Sequence, residues 1–279
     1  MPRDFDWVQI LNQCKCRVQE QIRPLLASSR GPQPELGMGA GGDPMKQIDL
    51  AAEEAIVSTL EEHEISFTLI SEESGLKEYG KDPQKCYVTT DPVDGTTNLT
   101  RGIPFYATSI AISTKPMLST VYAALVADLF HDVTYMAQRE KGSRRNNREI
   151  TPSRNTTLEE AVIGIDLNSY RVQKIASQLT NLIQETKHIR HFGANALELC
   201  YVADGTTDGF IDIRGKLRAT DMAAGWLIIK EAGAEITSPE GKVLNFKLSP
   251  KQKVEFVASA NRKMLRIILN LIKRKKEKE

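Results

Sequence analysis

Two carboxylates three residues apart, Asp91 and Asp94, directly follow the apolar run CYVTT at residues 86–90, which is typical of a buried strand. The proline between them fixes one φ angle and so holds the two acids in a set relation. Gly95 allows a close turn, and Thr96 offers a hydroxyl and an amide to an anion at a helix start. Acids beside a phosphate cradle are what metal-assisted phosphate hydrolysis requires. These residue types also form solvated turns, but their place at a strand end favours a function.

The elements that must position these acids follow from hydrophobic spacing. Apolar residues one helical turn apart predict helices at residues 5–25, 48–63, 170–186, 194–203 and 221–232, with one more after residue 260. Compact apolar runs predict strands at residues 67–70, 86–90, 107–113, 120–127, 133–138, 161–167, 188–192, 208–213 and 254–260. The run RGPQPELGMGAGG at residues 30–42 predicts a loop. We therefore expect two mixed α/β halves, residues 1–150 with the Asp91 segment and residues 151–279 with Asp221 and the substrate contacts.

Composition excludes several classes of protein. The net charge is +1, so no overall field attracts nucleic acid or an acidic membrane. No apolar run approaches the ~20 residues that span a bilayer, and the start does not resemble a secretion signal. The 4 cysteines are too few for a disulfide framework in a chain of this length. We expect a cytoplasmic protein with no nucleic-acid or membrane partner.

Two further charged features are interpreted as solvated. The tail KRKKEKE at residues 273–279 could bind nucleic acid or membrane, but its alternating charge favours a frayed helix end. Asp208 and Asp212 share one face of a predicted strand, and surface or turn acids are the commoner explanation for such a pair.

Four segments occur in the order found in one enzyme family. They are GGDPMKQID at residues 41–49, SEESG at 71–75, DPVDGT at 91–96, and TDMAAG at 220–225 continuing to EAG at 231–233. Together they resemble the inositol monophosphatase-like phosphatases, and most of all the archaeal enzymes that hydrolyse both fructose 1,6-bisphosphate and inositol monophosphate. The resemblance spans about residues 40–235, with Lys46 in place of the family's threonine.

The resemblance implies a set of metal ligands. Glu72, Asp91 and the carbonyl of Val93 would hold a first metal ion, while Asp91, Asp94 and Asp221 would hold a second, with Asp91 bridging. Ligands that are all oxygen atoms favour Mg²⁺, and Mn²⁺ is a plausible substitute. Two or three such ions would activate the attacking water.

The resemblance also implies catalytic and phosphate-binding roles. Glu72 and Thr96 would orient the attacking water, with Thr96 hydrogen-bonded to Asp49. Asp94 and the amides of Gly95 and Thr96 would bind the phosphate. No covalent nucleophile with a base at motif spacing competes with this direct attack by water.

Substrate contacts depart from the family pattern. Arg214 stands where animal inositol phosphatases have a glutamate, and with Arg218 and Lys216 it favours a second phosphate on the substrate. A solvated basic turn is an equally good explanation of these three cations. Asn195 is a further substrate contact by resemblance. Thr220 replaces the tryptophan that usually precedes Asp221.

The resemblance implies an α+β fold, a five-layer αβαβα sandwich, and a homodimer that acts on a small phosphorylated molecule. The leading hypothesis is a Mg²⁺-dependent phosphomonoester hydrolase acting on fructose 1,6-bisphosphate, inositol 1-phosphate or both. One alternative is a 3′-phosphoadenosine 5′-phosphate phosphatase on the same scaffold. Another is a non-catalytic relative that binds metal or polyanions.

Overall fold

The computed structural model describes residues 5–28, 37–40, 46–168 and 172–273. The helices in these ranges are α1 Trp7–Ser28, α2 Gln47–Glu62, α3 Thr96–Arg101, α4 Gln173–Glu185, α5 Asn195–Ala203, α6 Ala219–Ala232 and α7 Arg262–Lys273. The strands are β1 Phe67–Ser71, β2 Gly75–Tyr79, β3 Tyr87–Asp94, β4 Ala107–Ser113, β5 Val121–Asp128, β6 Val133–Gln138, β7 Ser143–Arg145, β8 Arg148–Glu149, β9 Val162–Ile165, β10 His188–Arg190, β11 Gly209–Arg218, β12 Glu235–Thr237 and β13 Lys253–Ser259.

Two mixed sheets contain these strands. The first has eight strands in the order β2-β1-β3-β4-β5-β6-β7-β8, and within it only β1 and β3 run parallel. The second has five strands in the order β10-β9-β11-β13-β12, with the first three parallel to one another. The parallel pairs matter most for function, because they bring strand carboxyl ends to a common edge.

Three apolar cores stack these elements into layers. The first core packs α1 and α2 against one face of the eight-stranded sheet, where Ile110 and Ile112 point. The second packs the opposite face, with Ala107 and Ala111, against α5, α6 and one face of the five-stranded sheet. The third covers the other face of that sheet with α4 and α7. Because successive strand residues face opposite sides, β4 serves two cores at once.

The resulting order is helices, sheet, helices, sheet, helices, which confirms the predicted five-layer αβαβα sandwich. The division into halves at residue 150 stays a prediction. Strands of the first sheet all precede that residue and strands of the second all follow it, but α5 and α6 pack against both sheets.

Sequence patterns missed several elements. They gave no strand at β2, β7, β8 or β12, which are short and mostly exposed or half-buried. The interpretation of Asp208 and Asp212 as surface acids was wrong, because both are buried. Of the predicted loop at residues 30–42 only residues 37–40 are described, and residues 274–279 of the tail also lie outside the described ranges. Within those ranges no helix is long and apolar enough to cross a bilayer.

The middle layer depends on a close approach of α6 to α5 at Gly225. A Cβ atom there would lie 2.7 Å from Leu199 Cδ1 and 2.9 Å from Leu199 Cβ. We expect Gly225→Ala to lower the free energy of unfolding by about 1–3 kcal/mol, because the two helices must separate. Urea denaturation measures this. Helix propensity alone predicts the opposite sign, so a variant as stable as the parent protein would contradict the close packing.

Candidate metal centre

Parallel pairing of β1 with β3 places two predicted ligands side by side. Ser71 is the last residue of β1 and pairs with Thr90, so the next residues, Glu72 after β1 and Asp91 within β3, lie side by side at the carboxyl end of β1. The amide of Glu72 still donates to the Thr90 carbonyl at 3.3 Å. This pairing explains why acids separated by 19 positions in the sequence lie close together in the fold.

Asp94, the second acid of the DPVD segment, has its direction set by an irregularity in β3. The register between β3 and β4 shifts between Asp91 and Asp94, around Pro92, which has no N–H to give to the ladder. Asp94 then accepts a hydrogen bond from the Ala196 amide at 2.7 Å, at the start of α5. The bulge therefore directs Asp94 toward the middle helical layer.

The last predicted acid, Asp221, comes from the first turn of α6. Its Oδ2 accepts the amide of Arg218 at 3.2 Å, and its Oδ1 accepts the hydroxyl of Thr220 at 2.7 Å. An acid in this position stabilises the helix start, because it satisfies an amide that has no partner within the helix. The threonine that replaces the family's tryptophan thus holds the neighbouring carboxylate.

Oxygen atoms of Glu72, Asp91 and Asp221 all lie within 4.8 Å of one another. Burial, followed by the charges of neighbouring acids, raises the pKa of both Glu72 and Asp91. Burial and the charge on Asp221 raise the pKa of Asp94 to about 8. Buried carboxylates that repel one another are stabilised by a shared cation, and an all-oxygen donor set suits a hard divalent ion. These residues therefore fit a metal such as Mg²⁺ or Mn²⁺.

The predicted hydrogen bond between Thr96 and Asp49 is also present in the structure. Thr96 Oγ1 lies 3.3 Å from Asp49 Oδ1 and 2.9 Å from the Val93 carbonyl oxygen. Burial raises the pKa of Asp49 to about 6. The Val93 carbonyl, predicted as a metal ligand, is thus one of two acceptors within reach of the Thr96 hydroxyl, and even when it accepts that proton it has one lone pair left.

Gly95 occupies the turn between β3 and α3. Its φ angle is +87°, and an added Cβ would lie 3.1 Å from the Phe105 carbonyl oxygen and 3.3 Å from that of Gly193. Only glycine easily adopts this positive φ angle and fits between the two carbonyl oxygens. The predicted phosphate-binding residues Asp94, Gly95 and Thr96 thus form one continuous turn beside the acid cluster.

The predicted substrate residues lie in two different settings. Arg214 is bound by Asp212 and Asp166, at 2.5 Å and 2.7 Å from its Nη2, and its Nη1 donates to the Asn168 carbonyl. Arg218 instead contacts Glu72 at 2.6 Å, within the acid cluster. Asn195 begins α5, next to the Ala196 amide that binds Asp94.

Sequence reasoning missed three groups near the site. Asp166 follows β9 and holds Arg214, and its charge contributes to the raised pKa of Asp94. Buried Glu198 accepts amides of Phe192 and Gly193 in the loop before α5. Lys253 pairs in register with Arg218. An acid directly after a predicted strand was a usable signal for Asp166, whereas Lys253 depends on strand pairing alone.

Comparison with known proteins places this geometry in context. The sequence profile of the inositol monophosphatase family matches residues 8–277. The chain is 32% identical over 272 residues to a fructose-1,6-bisphosphatase/inositol-1-monophosphatase of Thermococcus kodakarensis, covering 97% of this chain and 98% of that protein. It is 31% identical over 261 residues to a bifunctional NADP phosphatase/NAD kinase of Methanococcus maripaludis, covering 87% of this chain and 45% of the relative. A crystal structure of an inositol monophosphatase-fructose 1,6 bisphosphatase superposes with a TM-score of 0.84 at 30% identity, covering 96% of this chain and 100% of the other.

Proposed function

Because this chain belongs to the inositol monophosphatase family and is a metal-dependent phosphatase, we propose that it is a Mg²⁺-dependent hydrolase of small sugar or polyol phosphates. Fructose 1,6-bisphosphate and inositol 1-phosphate are the candidate substrates, since relatives named for both activities cover nearly the whole chain. The observation that carries the proposal is the convergence of Glu72, Asp91 and Asp221 within 4.8 Å.

We assign the metal to Glu72, Asp91, Asp94, Asp221 and the Val93 carbonyl. When bound, Mg²⁺ supplies Lewis acidity that neutralises phosphate oxygens and favours ionisation of the attacking water. Mn²⁺ has similar ligand preferences and is expected to substitute. Isothermal titration calorimetry measures whether two or three Mg²⁺ ions bind.

Thr96 and Asp49 are proposed to orient and deprotonate the attacking water. Thr96 Oγ1 has one proton, which it donates to Asp49 or to the Val93 carbonyl, and its lone pairs can accept from water. A carboxylate whose pKa is about 6 is well matched to proton uptake near neutral pH. Glu72 is proposed to supply a second acceptor for this water, and the amides of Gly95 and Thr96 are proposed to hold the phosphate.

Arg214 is proposed to shape the sugar subsite together with Asn195. Three of its five N–H groups already donate hydrogen bonds, to Asp212 Oδ1, Asp212 Oδ2 and the Asn168 carbonyl, and its Nη2 also forms an ion pair with Asp166 Oδ2 at 2.7 Å. The two aspartates more than neutralise its charge, which weakens the argument that Arg214 recruits a second phosphate. Both carboxylates are buried, so they hold the guanidinium in place beside the proposed subsite.

Phosphate release from four compounds at equal Mg²⁺ concentration tests the proposal. We expect turnover of inositol 1-phosphate and fructose 1,6-bisphosphate to exceed that of 3′-phosphoadenosine 5′-phosphate and NADP by at least about tenfold in kcat/KM, since a matched subsite contributes more than about 1.4 kcal/mol. NADP is included because one relative is named for NADP phosphatase activity. High activity on an adenosine phosphate alone would replace the proposed substrate class, and no metal-dependent release from any of the four would favour a non-catalytic relative.

The homodimer, the cytoplasmic location and the absence of nucleic-acid and membrane partners stay predictions. Sedimentation of the purified protein tests the homodimer, and sedimentation with added RNA tests the absence of a nucleic-acid partner. A monomer would remove the dimer prediction without affecting the chemistry assigned to the acid cluster.

A further inference from the structure

Arg218 makes the shortest ion pair of the acid cluster. Its Nη1 lies 2.6 Å from Glu72 Oε1 and 3.9 Å from Asp221 Oδ2. The side chain is 11% exposed and that of Glu72 is 13% exposed, so the pair is largely removed from water. The oxygen atoms that Arg218 approaches belong to two of the three carboxylates that lie within 4.8 Å of one another.

The fold leaves this arginine little choice of direction. Arg218 is the last residue of β11 and the residue before α6, and its own amide donates to Asp221 Oδ2 at 3.2 Å. On its other side it pairs with Lys253 of β13, and burial and then the charge on Arg218 lower the pKa of Lys253. Two cations therefore border the cluster, and the guanidinium contacts it directly.

We propose that Arg218 is a built-in counter-ion that competes with the divalent cation for Glu72 and so lowers the metal affinity of the enzyme. The proposal rests on the metal assignment made above. Without the metal, Arg218 offsets part of the repulsion among the buried acids. When the metal binds, Glu72 must give up its ion pair with Arg218 or divide its charge between Arg218 and the metal. Either change costs free energy and so opposes metal binding.

Arg218 could instead help to hold Glu72 as a metal ligand, and the two roles predict opposite changes in Mg²⁺ affinity when Arg218 is removed. If Arg218 only orients Glu72 as a ligand, its removal weakens metal binding, as loss of an outer-shell partner usually does. If Arg218 competes, its removal strengthens metal binding, because one positive charge beside the cation is gone. In the competing role its removal also destabilises the metal-free protein, because buried acids lose a partner.

The experiment compares Mg²⁺ binding to metal-stripped parent protein, Arg218→Gln and Arg218→Lys by isothermal titration calorimetry at one pH and ionic strength. We expect the Kd of Arg218→Gln to fall at least about fivefold, and that of Arg218→Lys to stay within about twofold because the charge remains. We expect the melting temperature of metal-free Arg218→Gln to fall by about 5 °C. An unchanged or weaker Mg²⁺ affinity in Arg218→Gln would overturn the proposal.

Arg145→Gln is the matched control. It also removes an arginine that pairs with a buried aspartate, since Arg145 Nη1 lies 3.2 Å from Asp204 Oδ2. Neither residue is among the charges that raise the pKa of Glu72, Asp91 or Asp94. Its Mg²⁺ affinity is expected to match that of the parent protein, and an equal gain in the control would overturn a role specific to Arg218.

The parent protein separates this inference from the proposed function. If the metal-stripped parent binds no Mg²⁺, the metal assignment itself fails. If the parent binds Mg²⁺ and Asp91→Asn does not, while Arg218→Gln gains no affinity, the metal assignment stands and only the role of Arg218 is refuted.

Discussion

Asp94→Asn is expected to reduce phosphate release at least about 10³-fold while leaving the fold intact, because it removes one charged oxygen from the metal and phosphate site. The side-chain carbonyl of asparagine can still accept the Ala196 amide, which lies 2.7 Å from Asp94 Oδ2. The local connection between β3 and α5 is therefore kept. Initial rates on inositol 1-phosphate over a range of Mg²⁺ concentrations measure the loss.

The same substitution is expected to stabilise the metal-free protein. Burial and the nearby charge on Asp221 disfavour an ionised Asp94, and asparagine removes that penalty. We expect the melting temperature without metal to rise by about 5 °C. Loss of activity together with a gain of stability distinguishes a functional acid from a structural one, since a structural acid would lose both.

Asp208→Asn is the control for both measurements. Asp208 is also buried and its Oδ2 accepts a backbone amide, that of Val162, at 2.8 Å. It directly precedes β11 and has no role in the assigned site. Its activity is expected to stay within about twofold of the parent protein. Full activity in Asp94→Asn, or equal losses in the two variants, would contradict the metal assignment.

Asp91 and Asp94 could be predicted from the sequence alone, because they directly follow an apolar run that is typical of a strand. Glu72 and Asp221 were predicted only from the resemblance to a family. Their convergence is a tertiary property. The resemblance to a family implied this convergence, and the structure shows that Glu72 and Asp91 are brought together by the parallel pairing of Ser71 with Thr90.

The environment of the arginines could not be predicted for the same reason. Arg214 is held by Asp166, which is 48 positions earlier in the sequence, and that contact arises because β9 and β11 pair in parallel. Arg218 reaches Glu72 across the boundary between the two sheets. Sequence alone showed a cluster of cations, and only the fold reveals that Arg214 and Arg218 are bound by acids.

Short edge elements were missed because they have little apolar surface to produce a pattern. In β2 the side chains from Leu76 to Glu78 are exposed, and β8 consists of two exposed residues. Such strands are held by backbone pairing to the next strand of the sheet, β1 for β2 and β7 for β8. Asp212 was misjudged because an acid on a strand looks solvated until Arg214, two residues later, turns back to bind it.

Thr96→Val is expected to lower kcat about 10²-fold with little change in KM, because it removes the hydroxyl proposed to orient the attacking water and keeps the side-chain shape. Thr100→Val is the control on the same helix, since the Thr100 hydroxyl donates only to the backbone carbonyls of Thr96 and Thr97 in the described structure. It is expected to stay within about twofold of the parent protein. Steady-state kinetics on inositol 1-phosphate at saturating Mg²⁺ give both constants.

Asp49→Asn completes a double-mutant cycle with Thr96→Val. Asparagine can still accept the Lys46 amide that bonds Asp49 Oδ2 at 3.1 Å, so the start of α2 is preserved while the proton acceptor is lost. If Thr96 and Asp49 pass one proton as a unit, the double variant is no slower than the slower single variant. Losses that multiply would mean that the two side chains act independently. The contact of 3.3 Å between them would then be a structural bond, and the water would depend on Glu72 for its orientation.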